Sequence, residues 1–119
     1  MHVKLIPVQS ASALSPAITT QGCVPNWGVE VTNQTGGCVA YGDAGTAALN
    51  YYVTRVFTEN NYGLMTFNKD LTQYNNHYFD MCEEWEFNTG KYNTALVQSI
   101  TIQGWQTGLV CTSIAAITY

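Results

Sequence analysis

An antiparallel β-sandwich or jelly roll, all-β and built from about seven or eight short strands, is what this 119-residue sequence predicts. Three observations predict it. Apolar and polar residues alternate with a period of two in several segments, as they do when one face of a strand is buried. Clusters of Gly, Asn and Thr punctuate those segments at short intervals. The run at residues 51–58 (Tyr-Tyr-Val-Thr-Arg-Val-Phe-Thr) is almost wholly β-branched and aromatic, which suits a pleated surface better than a helix.

Residues 1–22 stand apart as an extended N-terminal arm. Residues 9–21 are rich in Ser, Ala, Thr and Pro and read as a linker. Residues 2–8 can form one short strand, which Pro7 confines to an edge or an end. A single disulfide-stapled β domain is expected over residues 23–119. Its first element is residues 27–32, where Trp27, Val29 and Val31 alternate with Gly28, Glu30 and Thr32. Gln34-Thr35-Gly36-Gly37 supplies turn chemistry and Cys38-Val39-Ala40-Tyr41 returns, so this pair reads as a hairpin. Residues 46–58 read as a strand, although Leu49, Tyr52, Val53 and Val56 also match helical spacing. The alternative fold is therefore an α+β sandwich with helices near 46–58 and 70–85. Asn60-Asn61-Tyr62-Gly63 reads as a turn and residues 64–67 as a short strand. In residues 77–87, Phe79, Met81, Trp85 and Phe87 share one face of a strand with a charged intruder, Glu83. Residues 95–102 form one more strand, 104–108 a turn, and 109–118 the last strand.

Charged residues make up only 10% of the chain, against the ~25% usual for a soluble domain, and neutral Thr, Asn, Gln, Ser and Tyr take their place. Such a surface repels copies of itself weakly. Net charge is −4, and the four basic residues Lys4, Arg55, Lys69 and Lys91 are scattered. That excludes a nucleic-acid surface and disfavours anionic membranes. No apolar run approaches the ~20 residues of a transmembrane helix, so no membrane insertion is expected. Residues 1–9 lack the continuous apolar stretch of an intact signal peptide.

Cys23, Cys38, Cys82 and Cys111 are widely spaced and include no Cys-x-x-Cys pair, which favours disulfides over zinc. Three pairings are open to four cysteines. The expected one is Cys23–Cys111 with Cys38–Cys82, a nested pair tying the first and last core segments together. Asn33-Gln34-Thr35 is a glycosylation sequon, making Asn33 a candidate acceptor. Disulfides and sequon together point to a secreted, extracellular or cell-surface protein.

No catalytic residue, metal site or cofactor is expected. His2 and His77 lie far apart, without metal-ligand spacing or a nucleophile beside them in sequence. Asp80, Glu83, Glu84 and Glu86 are the densest charge in the chain, but lack the Asp/Asn/Gly spacing of a calcium loop and read as a solvated strand face. Arg55, the one arginine, is expected to pair with one of them. Gly42-Asp43-Ala44-Gly45 has neither the spacing nor the lysine of a phosphate-binding loop and reads as a turn. Trp105, between Gly104 and Gly108, is the candidate exposed contact, since indoles stack on sugars and partners.

Two stretches carry a family resemblance: Gly22-Cys23-Val24-Pro25-Asn26-Trp27 near the start, and Ser99-Ile100-Thr101-Ile102-Gln103-Gly104 followed by residues 107–114 near the end. With the leading arm, they resemble the subunits of bacterial endospore appendages, which are disulfide-linked jelly rolls with an N-terminal connector. Such connectors usually carry cysteines, whereas residues 1–22 contain none. Assembly is then expected to rest on strand addition, as in donor-strand filaments, with Val3, Leu5, Ile6 and Val8 plugging a neighbouring subunit. Head-to-tail contacts of that kind give rings or open filaments. The expected function is a non-enzymatic structural subunit, a homo-oligomer or filament built from identical copies. The alternative is a small secreted toxin-like or effector-like binding protein of a fungal type, with lectin-like modules behind it.

Overall fold

The computed structural model describes residues 18–67, 76–87 and 94–119. Among them are nine strands and no helix: β1 (Thr19–Gly22), β2 (Val29–Asn33), β3 (Cys38–Gly42), β4 (Gly45–Phe57), β5 (Asn61–Phe67), β6 (Asn76–Phe79), β7 (Glu83–Glu86), β8 (Ala95–Trp105) and β9 (Ala115–Thr118). The all-β expectation holds, and the helical alternative at 46–58 is replaced by the thirteen-residue strand β4. Residues 76–87 are strand and turn as well, while 70–75 lie outside the described residues.

β4 organises the architecture because it changes partners along its length. Gly45–Val53 pairs with β8 and Arg55–Phe57 with β7, while Val53–Phe57 pairs with β2 on the opposite edge. A register shift between Ala48 and Tyr51, with Asn50 at φ 59°, bends the strand before this change. One end of β4 thus belongs to the run β4-β8-β5-β6, and the other to β1-β3-β2-β4 with β7 and β9 alongside. All pairs are antiparallel except β7 with β9, which is parallel.

The core fills the space between these two runs. Val29, Val31, Tyr41, Val53 and Val56 face Met65, Phe67, Val97, Ile100 and Ile102 in one continuous cluster. Alternation is cleanest in β5, where Asn61, Gly63, Met65 and Phe67 are buried and the residues between them are not. At the centre stands Trp85, wholly buried, with the rings of Phe67, Phe79, Phe87 and Tyr119 at 5.2–6.5 Å between centroids. Its indole N–H donates to Glu83 Oε1 at 3.0 Å, which explains the charged intruder: Glu83 supplies the acceptor a buried indole needs.

Several expected boundaries move. The turn expected at residues 60–63 comes earlier, at Glu59 and Asn60, and Gly63 is a strand residue. An added Cβ there would lie 2.0 Å from the Thr101 carbonyl oxygen, so this glycine lets β5 approach β8. The single strand expected over 77–87 is broken by a turn at Met81 and Cys82, with Cys82 at φ 61°. The last strand is shorter than expected, since only Ala115–Thr118 pairs. The end of the expected arm, Thr19–Gly22, is an edge strand against β3, while residues 1–17 lie outside the described residues.

All four cysteines form disulfides, but the pairing is Cys23–Cys38 and Cys82–Cys111, with Cα atoms 5.7 and 5.4 Å apart. The nested pairing expected from the sequence is therefore corrected, and β-sheet register gives the reason. Gly22 sits opposite Val39, so the next residue, Cys23, falls opposite Cys38. At the other bridge, Glu83 sits opposite Ala115 and the Ala115 N–H donates to the Cys82 carbonyl at 2.9 Å, which brings Cys111 to the β6–β7 turn. Two disulfides in so small a domain are in keeping with an extracellular protein. Among the described residues, no helix is long and apolar enough to cross a membrane.

Candidate functional site

Four segments remote in sequence line one groove of about 180 Å³: residues 26–28 before β2, Gly42 and Asp43 after β3, Asn60 and Asn61 where β5 begins, and Trp105 at the end of β8. Strand register brings them together. Val29 lies opposite Tyr41, which sets residues 26–28 beside the end of β3, and Asn61 lies opposite Trp105.

The groove walls rest on unusual backbone. Asn26 (φ 60°), Gly28 (φ 70°) and Asp43 (φ 64°) are all in the left-handed region, as is Glu59 (φ 53°), which precedes Asn60. Asn and Asp adopt that region more readily than other L-residues, whereas Glu has no such advantage. Gly28 is required by space as well, because a Cβ would come within 2.5 Å of the Tyr41 carbonyl oxygen. The Trp27 ring packs over Gly42, so closely that a Cβ on Gly42 would stand 2.8 Å from it. Asn60 Nδ2 donates to the Gln106 carbonyl at 2.9 Å, and Gln106 N–H donates back to the Asn60 carbonyl at 3.0 Å. Asp43 Oδ2 accepts from Thr19 Oγ1 at 2.8 Å, which ties the β1 edge to the groove rim.

Behind the groove lies a pair of carboxyl groups. Asn26 N–H donates to Glu59 Oε2 at 3.2 Å, and Glu59 is hydrogen-bonded to Glu30 on β2. Glu59 is buried, whereas Glu30 is half-buried. Burial, the hydrogen bond to Glu59 and the Glu59 charge push Glu30 up to about 7, against the pull of Arg55. The raised group is Glu30, and a neighbouring carboxylate of like charge acts in the same direction as its burial. The Glu59 backbone also meets the second disulfide, since its carbonyl accepts from Cys82 N–H at 2.7 Å and lies 3.4 Å from Cys111 Sγ.

The residues singled out in the sequence fall in different places. Trp105, half-buried, lines the groove together with Trp27. Arg55 pairs with Glu84 across β4 and β7, as expected. Asp80 caps the Met81 N–H at 2.7 Å and Glu83 serves Trp85, so these carboxylates are turned to separate partners. His77 stands edge-on to Phe67 and Tyr119, with ring centroids 5.2 and 5.1 Å away, in an aromatic setting. At Asn33, Oδ1 accepts from Thr35 N–H, Thr35 Oγ1 and Gly37 N–H, so the sequon sits on an exposed turn with Nδ2 as the atom a glycan would take. Val3, Leu5, Ile6 and Val8 lie outside the described residues.

Cys23, Glu30 and Cys38 bring ligand-type atoms within 4.8 Å of one another. Both sulfurs are bonded to each other, so the group presents no thiolate to a metal. Sequence reasoning missed Glu59 and the pairing of Trp27 with Trp105. A lone acidic residue in the uncharged run Thr58-Glu59-Asn60-Asn61 was the only signal for the first. The chain matches no family model, and no curated protein or solved structure is detectably similar to it.

Proposed function

We propose that the chain is a non-enzymatic structural subunit of an extracellular filament or appendage, self-assembling by strand addition. One observation carries this reading: among the described residues β1, β6 and β9 each pair on a single side, and none contains a charged residue or a proline. Sheet edges are normally guarded by lysine, proline or bulges against pairing with another chain. Here the guard is shortness, at four residues per strand. A donor segment from the arm, through Val3, Leu5, Ile6 and Val8, would extend such an edge in a neighbouring copy. Low surface charge lets copies approach.

Light scattering and negative-stain microscopy over a range of concentrations test it. The full chain is expected to form ordered filaments or rings, and removal of residues 2–17, which spares β1, is expected to leave a monomer lighter than the 13.1 kDa full chain by those sixteen residues. A full chain that stays monomeric at every concentration overturns the reading. It would favour the second one, a small secreted binding protein, for which the two-tryptophan groove is the supporting observation.

A further inference from the structure

We propose that the groove between Trp27 and Trp105 is a binding site for one ring of a neutral saccharide. It stands independently of the assembly reading, since it uses neither the arm nor a sheet edge.

Size sets the first limit. At about 180 Å³ the groove is smaller than the roughly 300–1,000 Å³ of sites that enclose a drug-sized ligand. It suits one pyranose ring, with any further sugars running out into solvent. The lining sets the second. A pyranose presents patches of C–H and a rim of hydroxyls that both donate and accept. Indole faces serve the first, being apolar, rigid and electron-rich. The Asn26 and Asn60 amides and a carboxylate serve the second, the amides donating and accepting and Asp43 accepting only, while buried Asn61 donates its Nδ2 to the Thr58 carbonyl and Asn60 Oδ1.

Charge sets the third. Among the described residues no Lys, Arg or His lines the groove and Asp43 is its one acidic residue, and the chain carries a net charge of −4. A sugar phosphate or uronic acid would therefore meet repulsion with no cation among the described lining residues to offset it. A dedicated calcium site needs several oxygen ligands with more charge than a single carboxylate provides. Neutral sugars remain.

The fourth argument is preorganisation. Residues held in sparsely populated backbone conformations cluster at ligand clamps and active sites. Three of the groove's lining residues, Asn26, Gly28 and Asp43, have positive φ. The Trp27 ring is seated over Gly42, Asn60 is anchored to Gln106, and Asp43 to Thr19. Asn60 and Asp43 are thus positioned before a ligand arrives, which lowers the ordering cost of binding.

Amide-correlation NMR of the full chain tests this, with methyl α-mannoside, methyl β-galactoside, methyl β-glucoside and N-acetylglucosamine as probes. At least one probe, raised to roughly 100 mM so that a millimolar Kd saturates, is expected to shift the indole signals of Trp27 and Trp105 saturably. The buried Trp85 indole should stay still. Trp105→Ala is expected to weaken binding at least tenfold. Asp43→Asn, which keeps a residue suited to positive φ and tests the groove if the Trp105 variant fails to fold, should weaken it severalfold. No saturable shift with any probe overturns the proposal, as do shifts confined to residues outside the groove. Tighter binding of galacturonate than of methyl galactoside overturns the neutral-sugar assignment.

Discussion

Replacing Glu30 by Gln places a permanent amide donor where the Glu30 carboxyl is held up by burial and by Glu59, and the effect on stability should depend on pH. In the folded protein Glu30 is pushed up to about 7 from its ordinary 4.5, chiefly by burial and then by Glu59. The unfolded chain releases that proton near the ordinary value. Between about pH 4.5 and pH 7 the folded state therefore binds more protons, so stability falls as pH rises through this window and levels off above it. The contribution is fully present below pH 4.5. The gap corresponds to roughly 3 kcal/mol, and because water reaches the half-buried Glu30, screening reduces the expected loss to ~1–2 kcal/mol. Arg55 draws the other way, but it is shared with Glu84. Urea unfolding of wild type and Glu30→Gln, with disulfides intact and ionic strength fixed, isolates the pair from the other carboxylates. The variant should match wild type near pH 4.5 and exceed it by ~1–2 kcal/mol above pH 7. Parallel stability curves, or a wild type that gains on the variant as pH rises, would refute the raised Glu30.

Gly63→Ala forces a Cβ against the Thr101 carbonyl oxygen and should cost about 3 kcal/mol or prevent folding, read as a loss of the cooperative urea transition. Trp85→Ala empties the centre of the aromatic cluster and should cost ~3–5 kcal/mol by the same measurement. Removing Cys82–Cys111 by a double alanine substitution should destabilise by about 3–4 kcal/mol and removing Cys23–Cys38 by about 3, because the first closes the longer loop. The opposite order would contradict loop closure as the main contribution. Arg55→Ala should cost less than about 1 kcal/mol, the pair being exposed, and a larger loss would mark it as structural.

Much of the fold was legible where local chemistry and tertiary environment agree. Trp27 to Thr32 alternates cleanly, and Val29 and Val31 are buried as the pattern requires. The β-branched, aromatic character of residues 51–58 outweighed their helical spacing, and they lie in β4 up to Phe57. Legibility ended where position depends on segments far away in sequence. Asn60-Asn61-Tyr62-Gly63 has the composition of a turn, yet Gly63 answers a steric demand from Thr101. The turn sits instead at Glu59, a residue whose propensity gives no hint of positive φ. Disulfide pairing followed from the register of β1 on β3 and from the parallel pairing of β7 with β9, neither of which leaves a local trace. The groove was half legible: Trp105 stood out beside its glycines, but its partner Trp27 is set against it only through four separate strands.

The place of β8 has a consequence for how the chain reaches this structure. β4 and β5 follow one another through the short turn at Glu59 and Asn60, yet β8 lies between them. Neighbours in sequence usually pair in space, so the quickest product of collapse is a direct β4–β5 hairpin, and that hairpin must open before β8 can insert. If that hairpin forms first, the central strand is the late arrival and opening the hairpin should set the rate of folding. A substitution that tightens the Glu59–Asn60 turn should then slow refolding even where it makes the finished protein more stable.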